Sequence, residues 1–397
     1  MTRKNMKKQK IKIILARYLL LFVALITWAC GDNSSSVESP ETSSSSETDC
    51  DGAGCVTSAC TDRTVFIFGT DYKAGELRWI EEKSGHAAVI SEDKLDFYQD
   101  SKIINAGGNF FVLERAGADN LTLLDPCKKE VLWQTALEDY SNPTDVIMAD
   151  ESSAWVALEG TQNFVKVSIA DGKILKTVKT DAFTSKGGTS PNLADFAVRG
   201  DTLFAIFQRY VYDAATYTST YPKGLLAWYD LKTGELLDTL SLATKNPAMM
   251  AATSENLYVA TQGEYDEMWA LPADENRGIE KVDLTKKKSS LFVTGAKLGG
   301  GATDIAIDEK NAIAYVAVSA GFSKAVVSVN LKEGSVKELK DISGADGGFY
   351  FDAKSGLLYT GDRTFGDVLF YDGKDVLVVE KGDVAPLPPY GITVSGK

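Results

Sequence analysis

Four aspartates have the type and setting to bind a metal ion. Each lies in a short segment that contains Gly, Pro or Asn and leads into an apolar run, and they are Asp145, Asp195, Asp304 and Asp346. Carboxylates that converge on a narrow opening can hold Ca²⁺ through their oxygen atoms. Asp in such segments also caps turns by accepting hydrogen bonds from backbone N–H groups. We expect turn capping, with Ca²⁺ as the one cofactor that the residues leave open.

Two long segments carry side chains suited to contacting a macromolecule. They are residues 207–224 and 261–278. Tyr, Trp and Arg are enriched at interfaces, and long loops often carry function. The candidate ligand-binding residues are Tyr210, Tyr212, Tyr217, Tyr221, Tyr265, Trp269 and Arg277. The alternative is that these side chains only pack the two segments against the rest of the domain.

Histidine chemistry depends on a single residue. The 397 residues include one histidine, His86. A Ser-His-Asp or Cys-His mechanism would have to use it, and a metal site rich in histidine is nearly excluded. His86 falls in a short turn between two predicted outer strands, away from the aspartates and the long segments. We therefore assign no catalytic residue.

A repeat must position these side chains. Seven units of the form strand, turn, strand follow one another, and their equivalent turn positions are 81, 125, 168, 230, 283, 330 and 372. The base period is near 43 to 44 residues, and the two larger steps of 62 and 53 residues contain the long segments. An upstream pair of short alternating strands precedes most units, which makes four strands per unit. Such a repeat predicts an all-β fold, a seven-bladed β-propeller over residues 61–397.

The ring is predicted to close through its last strand. The first unit supplies only three strands, and one strand, residues 390–394, is left over after the seventh unit. That strand would fill the inner position of blade one and remove the open edges. In this arrangement the connections that lead into the inner strands share a face with the loops between second and third strands. The four aspartates and both long segments should therefore lie on one face.

The turn pattern resembles a known class of repeats. The segment DLKTGE, residues 230–235, is similar to the repeats of bacterial YVTN-type and quinoprotein-like propellers. The match includes Asp125 and Trp133 in blade two, whereas most other units lack the tryptophan. The resemblance implies the fold and not a function, and it does not imply a bound quinone.

The N-terminal segment has the layout of an export signal. Residues 1–29 contain seven Lys and Arg residues, no acid, and an apolar run over 18–29. That run is shorter than the roughly 20 residues of a transmembrane helix. The sequence ITWAC, which ends at Cys30, resembles the lipobox of bacterial lipoproteins, with Thr27 and Trp28 as departures. The resemblance implies a signal peptide over 1–29 and lipidation of Cys30, and Gly31 after it favours the outer membrane. The alternatives are an uncleaved anchor or plain secretion.

Residues 30–60 are predicted to be a disordered tether. They are rich in Ser, Glu and Thr and offer little apolar surface to bury. The disulfide candidates are Cys50, Cys55, Cys60 and Cys127, and we favour one bridge from the 50–60 cluster to Cys127. A metal site at the three clustered cysteines is the less favoured alternative.

Charge and architecture together favour a binding role. The net charge is −13, and loss of the seven positive charges in residues 1–29 would leave a product near −20, which argues against binding to nucleic acid. We expect a monomeric, lipid-anchored propeller of the bacterial cell envelope, periplasmic or surface-exposed, that engages a protein or glycan. One alternative is a lactonase-like or lyase-like enzyme that uses carboxylates or a metal at the channel mouth. A minor alternative is the propeller lipoprotein of the outer-membrane assembly machinery, whose family has eight blades and tryptophan-rich repeats.

Overall fold

The computed structural model describes residues 63–81, 88–321, 323–343, 346–379, 381 and 384–395. Almost all of its regular structure is antiparallel β-sheet, and the strands form seven blades. Blade one contains β1 (Val65–Thr70), β2 (Gly75–Glu81), β3 (Val89–Ile90) and β4 (Leu95–Phe97). Blade two contains β5 (Ser101–Ala106), β6 (Asn109–Glu114), β7 (Asn120–Asp125) and β8 (Glu130–Ala136). Blade three contains β9 (Pro143–Asp150), β10 (Ser153–Leu158), β11 (Asn163–Ser168) and β12 (Ile174–Lys179).

Blades four to seven repeat this arrangement, with a short 3₁₀ helix at Asp181–Phe183 before blade four. Blade four contains β13 (Leu193–Arg199), β14 (Thr202–Phe207), β17 (Lys223–Asp230) and β18 (Leu236–Lys245), with the hairpin β15 (Val211–Asp213) and β16 (Thr218–Thr220) inserted. Blade five contains β19 (Pro247–Ala252), β20 (Leu257–Thr261), β21 (Gly278–Asp283) and β22 (Lys288–Thr294), followed by α1 (Gly295–Leu298). Blade six contains β23 (Gly301–Asp308), β24 (Ile313–Ala320), β25 (Ser323–Asn330) and β26 (Val336–Ser343). Blade seven contains β27 (Phe349–Asp352), β28 (Leu357–Asp362), β29 (Asp367–Tyr371) and β30 (Val376–Val378).

The last strand closes the ring, as the sequence predicts. β31 (Pro389–Val394) pairs antiparallel with β1, with Ile392 opposite Ile67. The sheet order in blade one is therefore β3, β2, β1 and β31, and β4 also pairs with β2. The outer position of this blade is shared by two short strands, whereas the sequence predicts one.

Seven clusters of buried apolar side chains hold neighbouring blades together. Each cluster combines residues of two adjacent blades, so the seven clusters correspond to the seven interfaces of a closed ring. At the interface of blades one and two, the ring centroids of Phe66 and Phe110 lie 4.6 Å apart. Between blades three and four, Trp155 is fully buried and its indole N–H donates to the carbonyl oxygen of Leu231 at 2.7 Å. Burial of these surfaces supplies the main stabilisation of the fold.

The repeated polar position is a turn cap between the third and fourth strands. In blade four, Oδ1 of Asp230 accepts a hydrogen bond from the backbone N–H of Thr233 at 2.7 Å. The same bond from the N–H three residues later recurs at Asp125, Asp283, Asn330 and Asp372. Gly234, four residues after Asp230, has a φ of 68°, a left-handed conformation that glycine adopts without strain. Turn chemistry is thus the physical source of the sequence repeat.

Within the described ranges, no helix is both long enough and apolar enough to cross a membrane.

Candidate ligand-binding face

One face of the propeller carries the candidate residues. The connections that lead into the inner strands lie on this face together with the loops between second and third strands, because successive strands alternate in direction. The segment between β14 and β17 and the segment between β20 and β21 are such loops, in the adjacent blades four and five. Both long segments therefore open onto the face that the repeat predicts for them.

Three of the four aspartates lie on inner strands around the axis. Asp145 is in β9, Asp195 in β13 and Asp304 in β23, and the ammonium group of Lys102 in β5 interacts electrostatically with all three carboxylates. The Nζ atom of Lys102 donates a hydrogen bond to the carbonyl oxygen of Thr144 at 3.1 Å. A lysine thus accompanies the carboxylates in the channel, and the sequence does not predict it there.

Burial shifts the pKa values of this cluster. Burial raises the pKa of Asp145 and of Asp304 to about 6, and Lys102 acts against the shift in both cases. For Asp195, burial and the neighbouring Asp145 carboxylate together raise the pKa well above its ordinary value. Burial lowers the pKa of Lys102, with a further contribution from Arg115, whereas the carboxylates oppose this change. The three carboxyl groups of this cluster are therefore less readily ionised together than isolated carboxyl groups are.

Two of the aspartates bond backbone groups of the next blade. Oδ2 of Asp145 accepts a hydrogen bond from the N–H of Phe196 at 3.0 Å, and Oδ2 of Asp195 accepts one from the N–H of Met250 at 2.7 Å. Both donors follow a register shift in their inner strand, where the regular pairing is interrupted. Asp304 accepts from the N–H of Ile305 in its own strand at 2.7 Å. These carboxylates thus bond backbone N–H groups, but the bonds of Asp145 and Asp195 link blades three, four and five and do not cap turns.

The geometry does not assemble the four aspartates into a metal site. In the part of the chain that the structure describes, no three His, Cys, Asp or Glu side chains are grouped so that they could hold a metal ion. Asp346 lies exposed in the turn before β27, whereas the other three aspartates are on inner strands. The Ca²⁺ site stays a prediction, and a bound cation would have to compete with the ammonium of Lys102.

A polar group at the channel mouth connects three blades. The guanidinium of Arg115 lies 3.7 Å from a carboxylate oxygen of Glu159, and its Nε donates to the side-chain oxygen of Asn142 at 3.2 Å. The amide of Asn142 donates in turn to Glu159 at 2.5 Å. The hydroxyl of Tyr210 reaches the other oxygen of Glu159 at 3.3 Å. Sequence reasoning missed Arg115 and Glu159, because each is an isolated charge in a short loop.

A row of aromatic rings crosses from blade four to blade five. Ring centroids are 5.9 Å apart between Tyr210 and Tyr221, 6.4 Å between Tyr221 and Tyr265, and 6.4 Å between Tyr265 and Trp269. The exposed fraction of the side chain rises along the row, from 9% at Tyr221 through 38% at Tyr265 to 61% at Trp269. Tyr210 and Tyr221 therefore pack the segments, and Tyr265 and Trp269 face solvent.

The outer end of the row is a structured loop tip. Oδ1 of Asp266 accepts hydrogen bonds from the N–H groups of Met268 at 2.9 Å and of Ala270 at 2.8 Å. The N–H of Trp269 donates to the carbonyl oxygen of Asp266 at 3.0 Å, and Trp269 has a φ of 58°. Met268 is 76% exposed beside Trp269. A bulky residue with positive φ is uncommon, so the hydrogen bonds hold an unfavourable conformation that presents two apolar side chains.

Three other predicted ligand residues divide into two roles. Tyr212 and Tyr217 lie on the hairpin of β15 and β16 and are 51% and 70% exposed. Arg277, in contrast, is only 3% exposed, pairs with both carboxylate oxygens of Asp274, and donates to the carbonyl oxygen of Gln262 at 2.6 Å. The expectation that Arg277 faces a ligand does not fit this geometry, because its donors are committed to holding the 261–278 segment together.

Several predicted residues lie outside the described residues. They are Cys30, the cysteines Cys50, Cys55 and Cys60, and the single histidine, His86. Cys127 is in the turn between β7 and β8, where its N–H donates to Asp125. Lipidation and the pairing of the cysteines stay predictions.

Comparison with known proteins supports the fold. No protein-family model and no curated protein matches the chain. Solved structures that it resembles include a protein from Bacteroides fragilis described as a "putative 6-phosphogluconolactonase" (TM-score 0.54, 12% identity, 84% of this chain and 98% of the other). A functionally unknown protein from Desulfotomaculum acetoxidans gives a TM-score of 0.53 at 12% identity, covering 84% of this chain and 99% of the other. BamB from Moraxella catarrhalis gives 0.45 at 12% identity, covering 79% and 87%, which is too distant to support an argument. At these identities the likeness shows a propeller fold and no activity.

Proposed function

We propose that the chain is a lipid-anchored binding propeller of the bacterial cell envelope that recognises a protein through the loop face of blades four and five. The observation that carries this proposal is the tip formed by Met268 and Trp269, 76% and 61% exposed on a loop fixed by Asp266. Trp, Tyr and Met are enriched in the centres of protein interfaces. A tip that is ordered before binding loses less conformational entropy on binding, which favours affinity.

A protein fits this surface better than a glycan does. Met268 is the most exposed of the apolar side chains at the tip, and a flexible thioether adapts to apolar protein surfaces. Tyr212 and Tyr217 extend the same face with two further exposed rings. The anchor at Cys30 rests on the lipobox resemblance alone.

The channel supports a structural role better than an enzymatic one. Asp145 and Asp195 each accept a backbone hydrogen bond from the next blade, so part of their acceptor capacity is already used. Acid–base chemistry needs a carboxyl group within hydrogen-bond reach of a substrate proton. The enzyme alternative therefore ranks second.

Affinity capture from envelope extract tests the proposal. The full chain and its M268A/W269A variant are used as bait, and Phe365→Ala is the matched control, since Phe365 is 67% exposed on a loop of the same face in blade seven. We expect one or more proteins to be retained by the unmodified chain and the control, and lost with the double variant. Retention of the same proteins by all three baits would refute the assignment of the tip. Binding of purified envelope polysaccharide that depends on Trp269 would identify a glycan as the ligand instead.

A further inference from the structure

A strip of exposed apolar side chains runs along the outer strands of blades two, three and four. We call it the rim strip. Its members are 45% to 57% exposed and comprise Val131, Leu132, Ile174, Leu175, Leu236 and Leu237. Each adjacent pair stands at or next to the start of a fourth strand. Exposed apolar side chains that recur in pairs at equivalent positions are less readily explained as ordinary surface residues than isolated ones are.

The same β-bulge produces all three pairs. In blade two, Leu124 pairs with Val131 and Leu123 pairs with Trp133, so that Leu132 is the extra residue. The identical shift makes Leu175 the extra residue in blade three and Leu237 in blade four. A bulge of this kind re-aims side chains at a sheet edge. In each blade it places two consecutive apolar side chains in solvent.

The fold does not require this feature. In blade five Val282 pairs with Ser289 and Lys281 with Ser290, without a shift at this end of the strand. In blade six Val329 pairs with Val336 and Ser328 with Lys337, again in regular register. Regular pairing therefore suffices at the equivalent positions of these two blades. The rim strip is confined to one side of the ring.

The rim strip lies at the face opposite the ligand-binding loops. Its residues directly follow the turns between third and fourth strands, and strand alternation places these turns on the opposite face. β1 is the second strand of blade one and begins on that same face, so the 62 residues that precede Arg63 join the propeller there. The predicted anchor point, Cys30, precedes that junction in the chain.

We propose that the rim strip rests on the surface of the lipid bilayer that anchors the chain. This inference rests on the proposed anchorage. The apolar pairs enter the interfacial layer of the bilayer. Electrostatic attraction is not the driving force, since the chain is acidic overall. A tether keeps the local concentration of bilayer surface high, so weak apolar contacts are sufficient. The ligand-binding loops then point away from the membrane.

Hydrogen exchange of the membrane-bound protein tests this orientation. The full chain is isolated from membranes and reconstituted in vesicles of phosphatidylethanolamine and phosphatidylglycerol at a ratio of about 3:1, a mixture in which interfacial insertion is measurable. We expect amide exchange over residues 130–133, 173–176 and 235–238 to slow by about tenfold relative to detergent solution. The equivalent residues 288–290 and 336–337 in blades five and six serve as internal controls and should not change. The L132S/L175S/L237S variant should lose the protection and keep the exchange pattern of the other blades.

Four outcomes would overturn the inference. Uniform exchange around the ring, or protection that survives the triple substitution, would show that the rim strip does not meet the bilayer. Protection that appears in detergent solution as protein concentration rises would identify a second copy of the chain as the occupant. If the chain does not float with vesicles at all, the proposed anchorage fails as well. If the chain floats with vesicles but the rim strip is not protected, this inference fails and the proposed anchorage stands.

Discussion

The ammonium of Lys102 donates a hydrogen bond to the carbonyl oxygen of Thr144 at 3.1 Å and so joins the inner strands of blades two and three. The hydroxyl of Thr144 donates to the carbonyl oxygen of Leu193 at 3.0 Å, and Asp145 and Asp195 continue the series into blade five. Polar contacts thus connect four consecutive blades around the axis. Their first role is to hold the inner strands in register with one another.

Replacement of Lys102 by Met should destabilise the protein in a pH-dependent manner. Loss of the ammonium removes the charge that lowers the pKa values of Asp145 and Asp304. The cost should be greatest at pH 7 to 8, where the carboxyl groups are mostly ionised, at about 1 to 3 kcal/mol of unfolding free energy. Urea unfolding of both proteins at pH 5 and pH 8 measures this loss of unfolding free energy. An equal loss at both pH values would show that the charge of Lys102 is unimportant.

Replacement of Asp304 by Asn should change how stability depends on pH. The pKa of Asp304 is about 6 in the folded protein, above its ordinary value of 3.8. A carboxyl group with a raised folded pKa contributes stability that is complete below the unfolded value and is lost as pH rises through about 6. The free energy of unfolding of D304N, relative to that of the unmodified protein, should therefore rise by about 1 to 2 kcal/mol between pH 4 and pH 7. Urea unfolding curves at these two pH values provide the test, and parallel stability profiles would contradict the account.

Two tryptophans with opposite environments should respond differently to truncation. Trp155 is fully buried between blades three and four, so Trp155→Ala should cost about 3 to 5 kcal/mol of unfolding free energy. Trp269 is 61% exposed, so Trp269→Ala should change the free energy of unfolding by less than about 0.5 kcal/mol. Chemical denaturation of both variants checks the pair. A large loss for Trp269→Ala would assign the tip a packing role and remove the basis for its binding role.

Replacement of Asp266 by Ala should loosen the loop tip and leave the propeller intact. The substitution removes the two hydrogen bonds that Oδ1 accepts from the N–H groups of Met268 and Ala270. Amide exchange at these two residues should accelerate by about tenfold, because net hydrogen-bond contributions are near 1 kcal/mol each. Global unfolding should be unchanged. Slow exchange in the variant would mean that other contacts order the tip.

The fold was predictable because its signals are local and repeated. The turn caps at Asp125, Asp230 and their equivalents recur in blades two, four, five, six and seven, and the leftover strand near residue 390 fits the open position of blade one. The placement of both long segments followed from counting strands. Strand periodicity and turn chemistry are short-range properties, so one sequence suffices to read them.

The site was less predictable because its members come from different blades. Lys102 and Arg115 belong to blade two and Glu159 to blade three, and the packing of these adjacent blades brings the three side chains together. Arg277 has a residue type typical of interfaces, yet its partner Asp274 stands three residues away and neutralises it within the loop. A residue type alone does not distinguish a side chain that holds a loop from one that faces a ligand.

Photo-crosslinking in intact cells tests the central claim most directly. A photoreactive phenylalanine analogue replaces Trp269 in one variant and Phe365 in another, at exposed positions of the same face. We predict that irradiation joins the first variant to a discrete envelope protein and that the second gives no such product. A few residues near the centre of an interface carry most of the binding energy and lie closest to the partner, so the crosslink should concentrate at the tip. Equal crosslinking at both positions, or none at residue 269, would contradict the assignment of this loop face as the binding site.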